Sequence, residues 1–369
     1  MFRKIYIIIL LIFIVIPITS FAATKNTKTI SSKTSKTTKK STTTKKPSPK
    51  KVIPPDTMEQ LVYYMPGPNA FTMFKIHGSK TDIVSPQVYQ VDSNGNLTGK
   101  TSDELRAEVT NKKVKLIPLV INKDFNRDVM KNILASTSVQ DTIITNLINE
   151  AQKNGYAGWQ FNFEAIEAEY RDLYSMFVER AAEKFKAKQL LFSVAVIPRT
   201  SEAPIDLPKG SWQYYAGAYD FIRIGRAADF VTLMAYDQPT STGPVADINW
   251  LKDISTYALA NIPKEKLSIG IPVYGWIWDT QTGKKIRSTT YDKVIDLVVN
   301  KEYTKRGFDK KLGVGWITYT DPKTKQKLKL WYEDVNSFNI KYDYIRTLKV
   351  RGVSIWAIGQ EDERIWSQW

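Results

Sequence analysis

The chain has 369 residues and a formal net charge of +16, with no cysteine and a single histidine, His77. That composition excludes disulfides, thiol nucleophiles, Cys/His zinc sites and multi-histidine metal centres, and it leaves a serine triad no base other than His77. Twelve of the positive charges come from Arg3, Lys4 and ten lysines between residues 24 and 51, so the rest of the chain is nearly balanced. Despite a pI near 9.5, the charge belongs to a tail and nucleic acid is not the expected partner.

In chain order, Arg3 and Lys4, an apolar run over 5–18 and the small residues Ser20 and Ala22 predict a signal peptide over 1–22. An uncleaved anchor is the alternative, although the run is shorter than the ~20 residues that span a bilayer comfortably. Either reading places the remainder outside the cytosol. Residues 23–53 predict a disordered Lys/Thr/Ser-rich linker. It serves as a solvated spacer or attaches electrostatically to an anionic cell-wall or membrane surface.

From residue 54 onward, short runs rich in Val, Ile, Phe and Tyr alternate with longer amphipathic stretches, the pattern of repeated βα units. Eight strands are predicted, at 61–64, 83–89, 114–121, 158–163, 190–196, 230–236, 267–274 and 352–357. The helices between them are clearest at 141–153, 167–186 and 334–349, where apolar residues recur at three- and four-residue spacing. His77 falls in a predicted helix over 70–78, with a packing or surface role. The expected fold class is α/β, a (β/α)8 TIM barrel over 54–369. A small α+β insertion between strands 7 and 8 is expected at about 279–333, because the connection there is far longer than one crossover needs. Strand-like runs at 314–320 and 328–332 lie inside it, Asp334 caps the helix that follows, and Trp331 and Tyr332 are expected to be local core.

The fourth strand is the most informative. In Gly158-Trp159-Gln160-Phe161-Asn162-Phe163-Glu164 the alternation puts three aromatic rings on one face and Gln160, Asn162 and Glu164 on the other. Such a strand suits a parallel barrel whose apolar side chains meet the helices and whose polar ones enter the barrel, the last of them reaching the C-terminal mouth. Glu164 is that last residue, a carboxyl placed for proton transfer. Strand six ends with Met234, Tyr236 and Asp237, strand seven with Tyr274 and Trp276, and strand eight with Trp356. Aromatic platforms beside carboxyl groups suit a sugar, which offers apolar faces rimmed by hydroxyls. Singly, Tyr236 or Trp356 would equally well fill the barrel. No Walker A, dinucleotide-binding or nucleophile-elbow pattern occurs, and no cofactor is expected.

These motifs resemble glycoside hydrolase family 18, the chitinase-like barrels. The family's strand-four sequence Asp-Gly-x-Asp-x-Asp-x-Glu is matched at Gly158 and Glu164, with Ala157, Gln160 and Asn162 where the family has Asp. Its Met-x-Tyr-Asp is matched by Met234, Tyr236 and Asp237, and its closing Trp by Trp356. The resemblance covers roughly 58–369 and is nearest to exported cell-wall and spore-cortex lytic enzymes. It implies an exported hydrolase of β-1,4 linkages after N-acetylglucosamine, acting on a polysaccharide such as peptidoglycan or chitin. Glu164 is implied as general acid/base, with Asn162 and Tyr236 positioning the substrate's acetamido group, which is itself the nucleophile. Gln160, Met234, Asp237, Tyr274 and Trp356 are implied as substrate-binding residues. Asn162 can accept a hydrogen bond but cannot supply the negative charge of an Asp, which leaves a carbohydrate-binding protein on a degenerate barrel as the alternative.

Overall fold

The computed structural model describes residues 58–202, 207–240 and 242–369; the expected signal peptide and linker lie outside them. Eight parallel strands close on themselves, at Glu59–Tyr64, Ile83–Val91, Lys115–Leu116 with Leu119–Asn122, Gly158–Phe161, Leu191–Val196, Phe230–Leu233, Leu267–Pro272 and Gly352–Trp356. The first strand pairs with both the second and the eighth, which closes the (β/α)8 TIM barrel.

The third strand, expected unbroken over 114–121, is split in two around Pro118. Proline has no N–H to give a sheet ladder. Its carbonyl still serves the barrel by accepting from Gln160 N at 3.0 Å. The fourth and sixth strands also end earlier than their periodicity predicts, at Phe161 and Leu233. One more inter-strand bond follows in each, from Asn162 N to Val120 O and from Met234 N to Val196 O, before the chain turns away with Glu164 and Tyr236.

Helices occupy the connections. Thr137–Asn154 is capped by Ser136, whose hydroxyl accepts from Val139 N, and Val335–Leu348 is capped by Asp334 in a reciprocal capping box with Ser337. The helix expected from residue 167 starts with a short 3-10 turn, Ala168–Tyr170, before Arg171–Ala187. His77 ends the helix Pro68–His77 and stacks on Trp366 with ring centroids 4.8 Å apart.

The two faces of strand four divide as their alternation requires. Trp159, Phe161 and Phe163 are fully buried among the helices, with Phe161 against Phe177 and Phe192 and the Trp159 indole donating to Leu147 O at 2.8 Å. Each such ring removes roughly 150–250 Å² from water. Gly158 is required here, because a Cβ would meet Leu191 O of the adjacent strand at 2.0 Å.

The insertion is a five-stranded antiparallel sheet with strands Gly275–Asp279, Lys285–Thr289, Lys305–Asp309, Val314–Thr320 and Lys327–Tyr332. One face, with Ile277, Ile317, Leu328 and Leu330, packs on Val294 of the helix Tyr291–Val299. At its end Glu333 meets Lys341 of the last barrel helix at 2.6 Å, both side chains buried. Removing one partner of a buried pair leaves an uncompensated charge. Lys341→Met is therefore expected to cost about 3–5 kcal/mol, checked by denaturant unfolding of the wild type and the variant.

Candidate active site

At the C-terminal mouth the residues after strand four converge with those after strands three, six, seven and eight. Asn162 Nδ2 donates to Glu164 Oε1 at 3.0 Å, so the two side chains spaced along one strand face meet directly. Burial pushes the Glu164 carboxyl up to about 7, the Asn162 donor acts against this, and the negative charge of Asp237 adds to the rise. Glu164 therefore keeps its proton up to near-neutral pH while remaining partly open to the cleft.

Asn162 is itself 3% exposed, and its Oδ1 is buried without a protein partner. The Tyr236 hydroxyl is buried and unpartnered as well. Two orphaned polar atoms, one an acceptor and the other able to donate, beside an acid carboxyl are costly unless a ligand completes them. Burial also holds the Tyr236 phenol well above its ordinary value, so it remains protonated.

The turn after strand six places these groups. Ala235 N bonds Leu233 O and Tyr236 N bonds Met234 O, a tight reversal that ends with Asp237 at φ +58°. Gly270 on the neighbouring strand gives the Tyr236 ring its space, since a Cβ there would lie 2.8 Å from Tyr236 Cε1. Asp237 accepts from the Tyr274 hydroxyl and is raised by burial against the opposing effects of that bond and of Lys285. Trp356 is half-buried, 5.0 Å from Tyr63 and 5.8 Å from Tyr236 between ring centroids, and forms an aromatic floor at the end of strand eight.

Of the residues expected to bind substrate, Asp237, Tyr274, Met234 and Trp356 collect at the mouth with Tyr236. Gln160 is placed differently. It is fully buried inside the barrel, accepts from Tyr63 Oη at 2.7 Å, and donates to Ser193 and Thr232. Both sides of its amide are engaged, so any influence on a ligand passes through Tyr63, which touches Trp356. The expectation for Trp331 is corrected too: it packs with Met234, Tyr236 and Tyr274, whereas Tyr332, on the opposite sheet face, joins the local core.

Asn122 carried no signal in the sequence. It ends the third strand, is fully buried, accepts from Glu164 N at 3.0 Å and donates to Glu164 O at 3.1 Å. An amide side chain thus pairs with the peptide of the acid residue as another strand would. Ala165, immediately after, lies at φ +55°, a conformation that alanine does not favour by itself. Only tertiary proximity reveals such a clamp, because 42 residues separate the partners.

A carboxyl raised by burial at the mouth of a parallel barrel is suited to proton transfer. The chain is a member of the glycosyl hydrolases family 18, whose family model matches residues 18–361, and is accordingly a glycosidase with a glycan as substrate. It is 28% identical over 291 residues to an uncharacterized glycosylase, YvbX, of Bacillus subtilis, covering 77% of this chain and 82% of the relative. To the cortical fragment-lytic enzyme of Bacillus subtilis it is 26% identical, over 75% of this chain but only 64% of that enzyme's length. Among solved structures, the Bacillus megaterium spore cortex-lytic enzyme SleL superposes with a TM-score of 0.75 at 25% identity, covering 84% of this chain and 73% of that one.

Asn122→Ala should lower kcat by about 10- to 100-fold with little change in KM, because it frees the Glu164 backbone while Trp356 and Tyr236 stay in place. Steady-state kinetics on a soluble oligosaccharide, with a melting curve to show that the fold persists, measure it. Equal losses in kcat and melting temperature across unrelated buried sites would reduce Asn122 to ordinary packing.

Proposed function

We propose that the protein is an exported glycosidase that hydrolyses β-1,4 linkages after N-acetylglucosamine in a cell-wall or chitin-like glycan, with retention at the anomeric carbon. The observation that carries this reading is the grouping of a carboxyl raised to about 7 with two unpartnered polar atoms, Asn162 Oδ1 and Tyr236 Oη. An acetamido group supplies both missing partners. Its N–H donates to Asn162 Oδ1 and its carbonyl oxygen accepts from Tyr236 Oη.

So held, the acetamido oxygen attacks the anomeric carbon while Glu164 gives its proton to the glycosidic oxygen, and the C1–O bond breaks with its electrons going to the leaving sugar. The oxazolinium ring that forms is opened by water, whose proton returns to Glu164. Two displacements give overall retention. Trp356 lies under the reacting sugar, and Asp237, fixed by Tyr274, orients the surroundings of Glu164. The cortex-lytic relatives support a cell-wall glycan as substrate.

A binding protein without turnover is favoured by one observation, the neutral Asn162 where the family pattern has Asp. The charge missing there would otherwise stabilise the positive intermediate. Both readings predict sugar binding, and only the first predicts a pH-dependent rate. With the folded carboxyl raised to about 7, the acid form is present below that value and lost above it, so the basic limb of kcat/KM should lie near pH 7. Asn162→Asp adds a negative charge and removes a donor to the carboxylate, and should raise the rate and move that limb upward. Glu164→Gln should abolish hydrolysis while sugar binding persists. Absence of turnover in both the wild type and Asn162→Asp would leave the binding protein as the answer.

The lysine tail is proposed to attract the protein to an anionic wall or membrane surface, on the strength of its charge and lack of acidic residues. Deleting residues 24–51 should weaken retention on such a surface at low salt and leave turnover of a soluble oligosaccharide unchanged.

A further inference from the structure

Asn162 N makes the last inter-strand bond of strand four, so the next peptide, from the Phe163 carbonyl to the Glu164 amide, has no neighbouring strand to hold it. Buried peptide poles need partners. Both are side chains here: Tyr219 Oη donates to Phe163 O at 2.7 Å, and Asn122 Oδ1 accepts from Glu164 N at 3.0 Å. One peptide plane is held at its two poles, and the Cα–Cβ direction of Glu164 follows from its orientation.

Tyr219 is itself fixed. It lies between the turn Trp212–Ala216 and the helix Phe221–Ala227, and each flank is anchored by a side chain. Arg199, fully buried, donates to Ala216 O at 2.9 Å and to Glu202 at 2.7 Å with its guanidinium over the Phe221 ring, and Asp220 caps the helix by accepting from Arg223 N. The Tyr219 ring packs edge-on against Tyr174 with centroids 5.7 Å apart, both fully buried and both within electrostatic reach of Glu164. The two phenols differ in one respect. Among the described residues the Tyr174 hydroxyl has no hydrogen-bond partner.

We propose that Tyr219 is a positioning residue for Glu164, gripping with Asn122 the peptide that aims the carboxyl. The inference rests on the reading of Glu164 as the general acid. A misdirected proton donor loses rate without losing bound sugar, so the effect belongs in kcat. Because Tyr219 and Asn122 hold one peptide, the first release should leave little for the second to do.

Tyr219→Phe removes the engaged hydroxyl and keeps the ring, and Tyr174→Phe is the matched change at the unengaged one. Steady-state kinetics on a soluble oligosaccharide should show kcat about tenfold lower in Tyr219→Phe with KM unchanged, and within about twofold of the wild type in Tyr174→Phe. Melting curves of both variants show that the fold persists. Asn122→Ala combined with Tyr219→Phe should be little slower than Asn122→Ala alone, whereas independent effects would multiply. Amide hydrogen exchange at Glu164, followed by NMR, should quicken about tenfold in Tyr219→Phe and stay as in the wild type in Tyr174→Phe. Unchanged kcat or unchanged exchange in Tyr219→Phe, equal losses in the two Phe variants, or multiplied losses in the combined variant overturns the proposal. If the wild type hydrolyses nothing, the hydrolase reading fails, and the exchange comparison still decides whether Tyr219 holds this peptide.

Discussion

Strand four constrains everything around it, because neither of its faces tolerates water. Trp159, Phe161 and Phe163 need an apolar layer, and Gln160, Asn162 and Glu164 need partners inside a closed space. A closed parallel barrel meets both demands at once. Helices cover the rings, and neighbouring strands supply Tyr63, Ser193 and Thr232 to Gln160. The polar side chains are then satisfied in depth order: Gln160 completely, Asn162 by half, and Glu164 by one bond to Asn162. What the barrel leaves unpaired at its mouth is what a ligand can complete.

The same depth order accounts for the electrostatics. Glu164 is near enough to the interior to be desolvated and near enough to Asp237 to feel its charge, and it is raised to about 7. Asp237 is raised by burial too, although Tyr274 and Lys285 oppose the change. Beside Asp237 the insertion contributes Lys285, and its buried Trp276, Trp278 and Trp331 pack with Tyr236 and Tyr274.

Periodicity carried the barrel into view, since eight β-rich runs at βα spacing and the two-sided strand four are local patterns. It overestimated strands four and six because Phe163 and Glu164, and Ala235 and Tyr236, continue the alternation after the last inter-strand bonds, made by Asn162 N and Met234 N. The placement of Glu164, Asn162, Tyr236 and Trp356 together at strand ends was legible in the same alternation. Gln160 shared their face but lies a layer too deep, a distinction that period-two alternation does not contain. Asn122 was invisible for another reason: its partner is set by long-range pairing, across 42 residues.

The central claim is that the substrate's acetamido group, held by Asn162 and Tyr236, is the nucleophile and Glu164 the acid. Proton NMR of the first product formed from a chitin or wall-glycan oligosaccharide, recorded before the sugar mutarotates, tests it most directly. The account predicts that the new reducing end appears first as the β anomer. An α anomer appearing first would contradict it.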